Sequence, residues 1–230
     1  MDFEFKYKDS TDIPSRTSAT ELKRVQSIRQ KNQHTIKKGI TALDGEIDGA
    51  KRGTAYHNAI SFISLDALRQ NLSEEAVKNQ LNTLVEEGKI NRDIYEKDLQ
   101  MSEKIYKFFA NSPLGKRMLE IDDSKIYREK NFQLAINAGY YKPDAKLQEG
   151  EEMILQGVID CFYIDEEKNE VVLLDYKTDS MKNKTKQDIL DVYGIQLDLY
   201  TEAIEKITGR KVTHRYLYLF DIDEVAEYTA

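Results

Sequence analysis

The 230-residue sequence predicts an α/β fold, a mixed-sheet core preceded by an N-terminal helical region, and three observations predict it. Apolar residues recur at helical spacing from Ala76 to Phe109. Strand-like apolar runs separated by polar turns occupy Ile126 to Leu174. Steps of three and four then return at Tyr193, Gln196, Tyr200, Ala203 and Ile207. Three strands, a helix and a further strand make a sheet with a helix packed across it.

Residues 1–17 read as an extended arm. Ser18-Ala19-Thr20-Glu21 has the S-x-x-E pattern of a capping box and opens a helix toward Gln33. Asn32 to Ala50 is polar, contains Gly39, Gly45 and Gly49, and reads as a loop leading into a helix that carries His57. A loop of that length in a compact domain is either mobile or ordered by DNA or a partner. Ser73-Glu74-Glu75 starts another helix, with Gly88 as its C-cap, and Ile94 to Phe109 supplies one more. Residues 18–122 thus form the helical region. In 123–230, strands at Ile126–Ile136, Met153–Ile164 and from Val171 precede the helix of Tyr193 and a closing strand at Val212–Phe220. A chain of this length buries one sizeable core, so the three segments are read together as one structural domain.

The chemistry concentrates at Asp160, Asp175 and Lys177. Period-two alternation puts Val171, Leu173, Asp175 and Lys177 on one strand face, so two charges end an apolar stripe. A carboxylate there needs a cation, either a metal or the lysine. The polar turn Asp165-Glu166-Glu167-Lys168-Asn169 makes a hairpin that brings Asp160 near Asp175. Two such carboxylates repel each other, and a divalent cation with oxygen ligands removes the repulsion while leaving room for water and phosphate. Magnesium is the natural candidate. A lysine two residues on can orient water and offset charge on phosphorus, which is what phosphodiester hydrolysis requires. D-x-K alone is more often an ordinary surface ion pair at a strand end; the neighbouring Gly157-Val158-Ile159-Asp160 shifts the balance toward the site.

Five segments in order, Gly53-Thr54-Ala55-Tyr56-His57, Tyr127-Arg128-Glu129-Lys130, Gln156-Gly157-Val158-Ile159-Asp160, Asp175-Tyr176-Lys177-Thr178-Asp179 and Gln196-Leu197-Asp198-Leu199-Tyr200, resemble the PD-(D/E)xK nucleases of the RecB type. Within that family the likeness is to the carboxy-terminal nuclease domains of AddA-type helicase-nucleases. It extends to Ile13-Pro14-Ser15-Arg16-Thr17-Ser18 and to the helical stretch ending Ser112-Pro113-Leu114-Gly115-Lys116-Arg117, and so covers nearly the whole chain.

The resemblance implies a restriction-endonuclease-like core. It also implies that His57, Asp160, Asp175 and the Tyr176 carbonyl hold Mg2+, with Mn2+ an alternative that suits the imidazole better, and that Lys177 is the catalytic lysine. Glu129 matches the acidic residue that the family carries on the preceding strand. Gln196 and Tyr200, neighbours on one helix face, match a pair that helps to place DNA and the catalytic groups. The implied activity is exonucleolytic cleavage of the strand, single-stranded at the nuclease site, that a helicase delivers during double-strand-break repair and recombination. The implied partners are DNA, an AddA helicase portion and an AddB subunit.

Composition sets limits on these expectations. No run approaches the roughly 18 apolar residues of a spanning helix, the amino terminus lacks a signal-peptide pattern, and a single cysteine forms no internal disulfide, so a cytoplasmic protein without membrane contact is expected. One cysteine also excludes a four-cysteine iron-sulfur cluster, and without a G-x-x-x-x-G-K-[ST] loop the chain has no ATP site of that type. A net charge of −7 argues against a stand-alone nucleic-acid binder. Two things soften the objection: several of the acids belong to the expected metal site, and the bases are clustered, in Lys182, Lys184 and Lys186, read as a DNA-binding loop after Lys177, and in Lys23, Arg24, Arg29, Lys31, Lys37 and Lys38. The competing readings are a non-catalytic DNA-binding or scaffolding module, which intact Asp160, Asp175 and Lys177 disfavour, and a hydrolase of another phosphoester.

Overall fold

The computed structural model describes residues 8–22, 25, 43–142, 144–147 and 149–229. The course of the first helix toward Gln33, the loop reading for residues 32–42 and the basic group from Lys23 to Lys38 lie outside them.

The sheet is mixed, as the sequence predicts. Its strands are β1 (Arg16–Ser18), β2 (Ile126–Asn137), β3 (Glu152–Asp165), β4 (Glu170–Lys177), β5 (His214–Leu219) and β6 (Glu224–Glu227). β2 lies antiparallel along one edge of β3, from Ile126↔Tyr163 to Asn137↔Glu152. The other edge of β3 is shared: β1 runs parallel to its first half up to Ser18↔Gln156, and β4 runs antiparallel to its second half from Cys161↔Leu174. Gly157 to Asp160 therefore have no strand beside them on that edge among the described residues. β5 pairs parallel with β4, and β6 antiparallel with β5.

Seven described helices follow the capping chemistry of the chain: α1 (Leu43–Phe62), α2 (Leu65–Gln70), α3 (Glu74–Glu86), α4 (Arg92–Lys97), α5 (Met101–Asn111), α6 (Pro113–Glu120) and α7 (Lys186–Thr208). Ser64, Ser73, Asn91, Ser112 and Thr185 each accept a backbone N–H at a helix start. Gly88, at φ 71°, ends α3 in the left-handed conformation that glycine adopts at least cost.

Two apolar layers flank the sheet. On one face Tyr56, Ile60, Phe108, Phe109 and Met118 of the helical region pack with Cys161, Leu174, Tyr176, Tyr218 and Phe220. On the other, Leu197, Tyr200 and Ile204 of α7 pack with Phe132, Leu155, Ile159, Phe162 and Leu173. β3 changes its facing partway along. Leu155 and Ile159 point to α7 before Asp160, and Phe162 and Ile164 do so after it; β2 switches likewise between Phe132 and Tyr127. The register of the two strands is the same on both sides of Glu129 and Asp160, the one position missing from the ladder, so the switch falls there, and Glu129 takes φ 50° to make it.

Several expectations need correction. The arm is not simply extended: residues Lys8–Asp12 form a 3-10 turn, and β1 completes the sheet edge. The loop expected through Ala50 is already helical from Leu43, despite Gly45 and Gly49. Extending a packed helix costs about 1 kcal/mol per glycine, far less than starting one. The helix expected from Ile94 to Phe109 is two, because Asp98 leaves helical geometry at φ −93°, ψ 77° to meet Arg52 and Tyr56. The helix expected to end in Ser112–Arg117 stops at Asn111; Ser112 caps α6 instead. Ile207 is 48% exposed, its stripe position taken by the buried Ile204, and α7 closes two residues later at Gly209. β5 does not close the sheet, for β6, too short to show a period, lies outside it.

Candidate active site

α1 delivers His57 because the opposite side of the helix, with Tyr56, Ala59 and Ile60, is sunk in the core. The helix is also tied to β2. Arg128 donates to the carbonyls of Ile60 (2.9 Å) and Ile63 (2.7 Å), a cation closing the carboxyl end of the helix next door to Glu129.

At Asp160 the β3–β4 ladder gives way to a side chain. Its Oδ2 accepts the Tyr176 N–H at 3.0 Å, and its Oδ1 lies 3.3 Å from His57 Nδ1. His57 Nε2 is 3.0 Å from the Tyr176 carbonyl oxygen, and Glu129 Oε1 is 3.9 Å from His57 Nδ1. One ligand atom each from His57, Glu129 and Asp160 lies within 4.8 Å of the others. Tyr176 cannot drift, since its buried ring meets Phe108 edge-on at 5.6 Å.

Asp175 is fully buried on the α7 side of β4, with its carboxylate turned to Lys177 as an ion pair. Gln196 Nε2 lies 3.2 Å from Asp175 Oδ1 and 2.9 Å from the Tyr200 hydroxyl, so the Gln196–Tyr200 pair, itself buried, holds that carboxylate from below. Asp175 Oδ2 has no aligned hydrogen bond, only the ammonium. Lys177 Nζ also sits 4.2 Å from the centre of the Tyr193 ring, whose hydroxyl donates to Asp179 at 2.9 Å.

The electrostatics follow from burial and crowding. Burial alone would depress His57, but the charge and hydrogen bond of Asp160 outweigh it and push its pKa up to about 9. Burial would raise Asp160, and His57 and Lys177 hold it below the usual carboxylate range. Asp175 goes the other way: burial and the neighbouring Asp160 charge push it up to about 7 against the pull of Lys177. Burial and Asp160 likewise raise Glu129. The site is thus short of positive charge.

The donor set suits a divalent cation: two clustered carboxylates, an imidazole, a fixed carbonyl and the unaligned Asp175 Oδ2. A protonated His57 has no lone pair to offer, so cation binding must displace a proton. Mn2+ affinity will fall as pH drops below about 9, by up to about tenfold per unit for the one proton displaced, and will fall further as Asp175 protonates near 7. Calorimetry in buffers of different ionisation enthalpy measures the protons released; a pH-independent affinity without proton release would contradict it.

Lys182 and Lys184 are exposed beyond β4. Lys186 is not part of that loop. It is the first residue of α7 and is bound to Glu224 (2.6 Å) and to the Val225 carbonyl (3.0 Å) on β6, because the Thr185–Asp188 capping box starts the helix there. Arg52 carries no signal in the sequence although it precedes the Gly53–His57 segment. It lines, with His57, Lys177, Thr178, Ser180 and Tyr193, a cleft of about 570 Å³.

The PD-(D/E)XK nuclease superfamily matches residues 16–227 of the chain. The chain is 32% identical over 238 residues to the A subunit of an ATP-dependent helicase/nuclease of Clostridium novyi, covering 99% of the chain and 18% of that protein. Against the protein of the same name from Clostridioides difficile it is 32% identical over 248 residues, 99% of the chain and 19% of that protein. For Clostridium botulinum the figures are 33% over 234 residues, 97% and 17%. The chain spans less than a fifth of the length of these relatives.

Proposed function

The chain belongs to the PD-(D/E)XK nuclease superfamily, and from that premise we propose that it is the metal-dependent deoxyribonuclease part of an AddAB/RecBCD-type helicase-nuclease. It cleaves phosphodiester bonds of a single strand delivered by the AddA helicase portion, with AddB as its partner protein, in cytoplasmic double-strand-break repair. The observation that supports this reading best is the convergence of His57, Glu129 and Asp160 beside the Tyr176 carbonyl and the Asp175–Lys177 pair.

In this reading His57, Asp160, Asp175 and the Tyr176 carbonyl hold Mg2+ or Mn2+, with Glu129 beside them. An ion held by these residues would supply the polarisation of phosphate and the acidification of water that make hydrolysis feasible near neutral pH. The residues of the chain do the rest. Lys177, pinned between Asp175 and the Tyr193 ring, orients the attacking water and faces the charge that develops on the phosphate. Gln196 and Tyr200 keep Asp175 in place, and Lys182 and Lys184 offer exposed charge to the backbone beyond the cleft.

The test is cleavage of end-labelled linear single-stranded DNA by the full chain. Cleavage is expected with Mg2+ or Mn2+ and its loss with excess EDTA. Undiminished cleavage in EDTA would sink the metal-dependent mechanism, and no cleavage with either ion would sink the nuclease reading.

A further inference from the structure

We propose that Arg52 is a phosphate-binding residue, gripping the nucleic-acid strand at a phosphate beside the one that reaches the acidic cluster. The proposal rests on the nuclease reading and deepens it.

Arg52 precedes His57 on α1 and lines the same cleft as His57 and Lys177. Its guanidinium is held on three sides. Nε donates to Asp98 Oδ2 at 2.6 Å, NH1 approaches the Thr178 carbonyl at 3.3 Å, and the group lies 5.2 Å from the centre of the Tyr56 ring. Asp98 is itself fixed, since the same Oδ2 accepts the Tyr56 hydroxyl at 3.1 Å. The helical chain breaks between α4 and α5 at this residue.

The Tyr56 hydroxyl also interacts with the guanidinium, but NH2 makes no aligned hydrogen bond among the described residues, on a side chain that is 29% exposed. A planar fork held in one rotamer, with donors still open, matches the geometry of a phosphate and loses little conformational freedom on binding it. Gly49, Ala50 and Gly53 carry little or no side chain, and a Cβ at Gly53 would come 3.4 Å from the Thr178 hydroxyl. The acids that assemble the site would repel a polyanion, and in this cleft the basic side chains that oppose them are Arg52, Lys177 and His57, which already faces Asp160. Lys177 is already committed to Asp175.

The competing role for Arg52 is structural, joining α1 to the turn between α4 and α5. Steady-state cleavage of single-stranded oligonucleotides by the full chain, over a range of salt, separates the two. Arg52→Gln is expected to raise KM about tenfold, the loss of one charge-assisted hydrogen bond, while kcat stays within about twofold. The slope of log(kcat/KM) against log salt should become shallower by roughly 0.7, one phosphate contact on a single strand. Arg52→Lys, which keeps the charge, should restore the slope without restoring KM fully. The double variant Arg52→Gln/Asp98→Asn removes the partner too, so no buried charge is orphaned, and it should repeat the same KM and slope.

A double variant with the KM and slope of the wild type would make the role structural and overturn the proposal, as would an unchanged slope in a folded Arg52→Gln. A wild-type chain that cleaves nothing would overturn the nuclease reading instead, and Arg52's role with it.

Discussion

Asp175→Ala will abolish cleavage and lower the thermal midpoint of the chain. Repulsion between paired carboxylates suggests the opposite for stability, because removing one of them relieves the other. The packing around Asp175 decides against that. Its carboxylate is the ion-pair partner of Lys177, whose side chain is only 10% exposed, and the acceptor for Gln196. Alanine would leave a buried ammonium with only the Tyr193 ring close by and more distant acids around it. Removing one member of a buried pair typically costs about 3–5 kcal/mol; the relief of Asp160 offsets part of that, so about 2–3 kcal/mol is expected here. Calorimetric melting of the metal-free protein checks it. A raised midpoint would mean that repulsion from Asp160 dominates the site.

Lys177→Met will slow cleavage by about 10²-fold or more while leaving divalent-ion affinity near that of the parent at a pH high enough to keep Asp175 ionised. An ammonium has no lone pair for a cation, so its contribution is to the reacting water and phosphate. Methionine keeps an unbranched apolar stem beside Tyr193 without the ammonium that lies over the ring, and avoids a cavity in the wall of the cleft. Its removal leaves Asp175 without a counter-charge, which raises the carboxyl pKa further and moves the lower limb of the pH–rate profile upward. Isothermal titration with Mn2+ and single-turnover rates measure the two effects separately. If metal binding disappears along with the rate, Lys177 serves the metal site and not the chemical step.

The parts of this architecture that are legible in the sequence are those with a period or a cap. Alternation from Val171 to Lys177 places Asp175 and Lys177 on the face of Leu173, and the polar run at Asp165–Asn169 marks the turn that aligns β3 with β4. The S-x-x-E pattern at Ser18 is realised as a cap, the serine hydroxyl accepting the Glu21 N–H at 3.1 Å. What escapes is set by tertiary contact. Nothing local announces that Asp98 breaks a helix to hold Arg52, since both partners are ordinary surface residue types until α1 and α4 meet. The switch of face at Glu129 and Asp160 is equally hidden. Period-two reasoning assumes an even strand, and this pair of strands turns over where the acidic residues converge. β6 is too short to show alternation, and Lys186 looks like its neighbours Lys182 and Lys184 until the capping box draws it into α7.

The central claim is that His57, Asp160, Asp175 and the Tyr176 carbonyl, with Glu129 beside them, form one divalent-cation site. Crystals of the chain grown near pH 8 and soaked in Mn2+ test it most directly by anomalous diffraction at the manganese edge. The account predicts a single strong peak within coordination distance of Asp160 and the Tyr176 carbonyl, with the His57 ring turned to offer a nitrogen lone pair in place of its present contacts. A fully soaked crystal with no peak between α1 and the β3–β4 split, or with manganese bound only to exposed surface carboxylates, would contradict it.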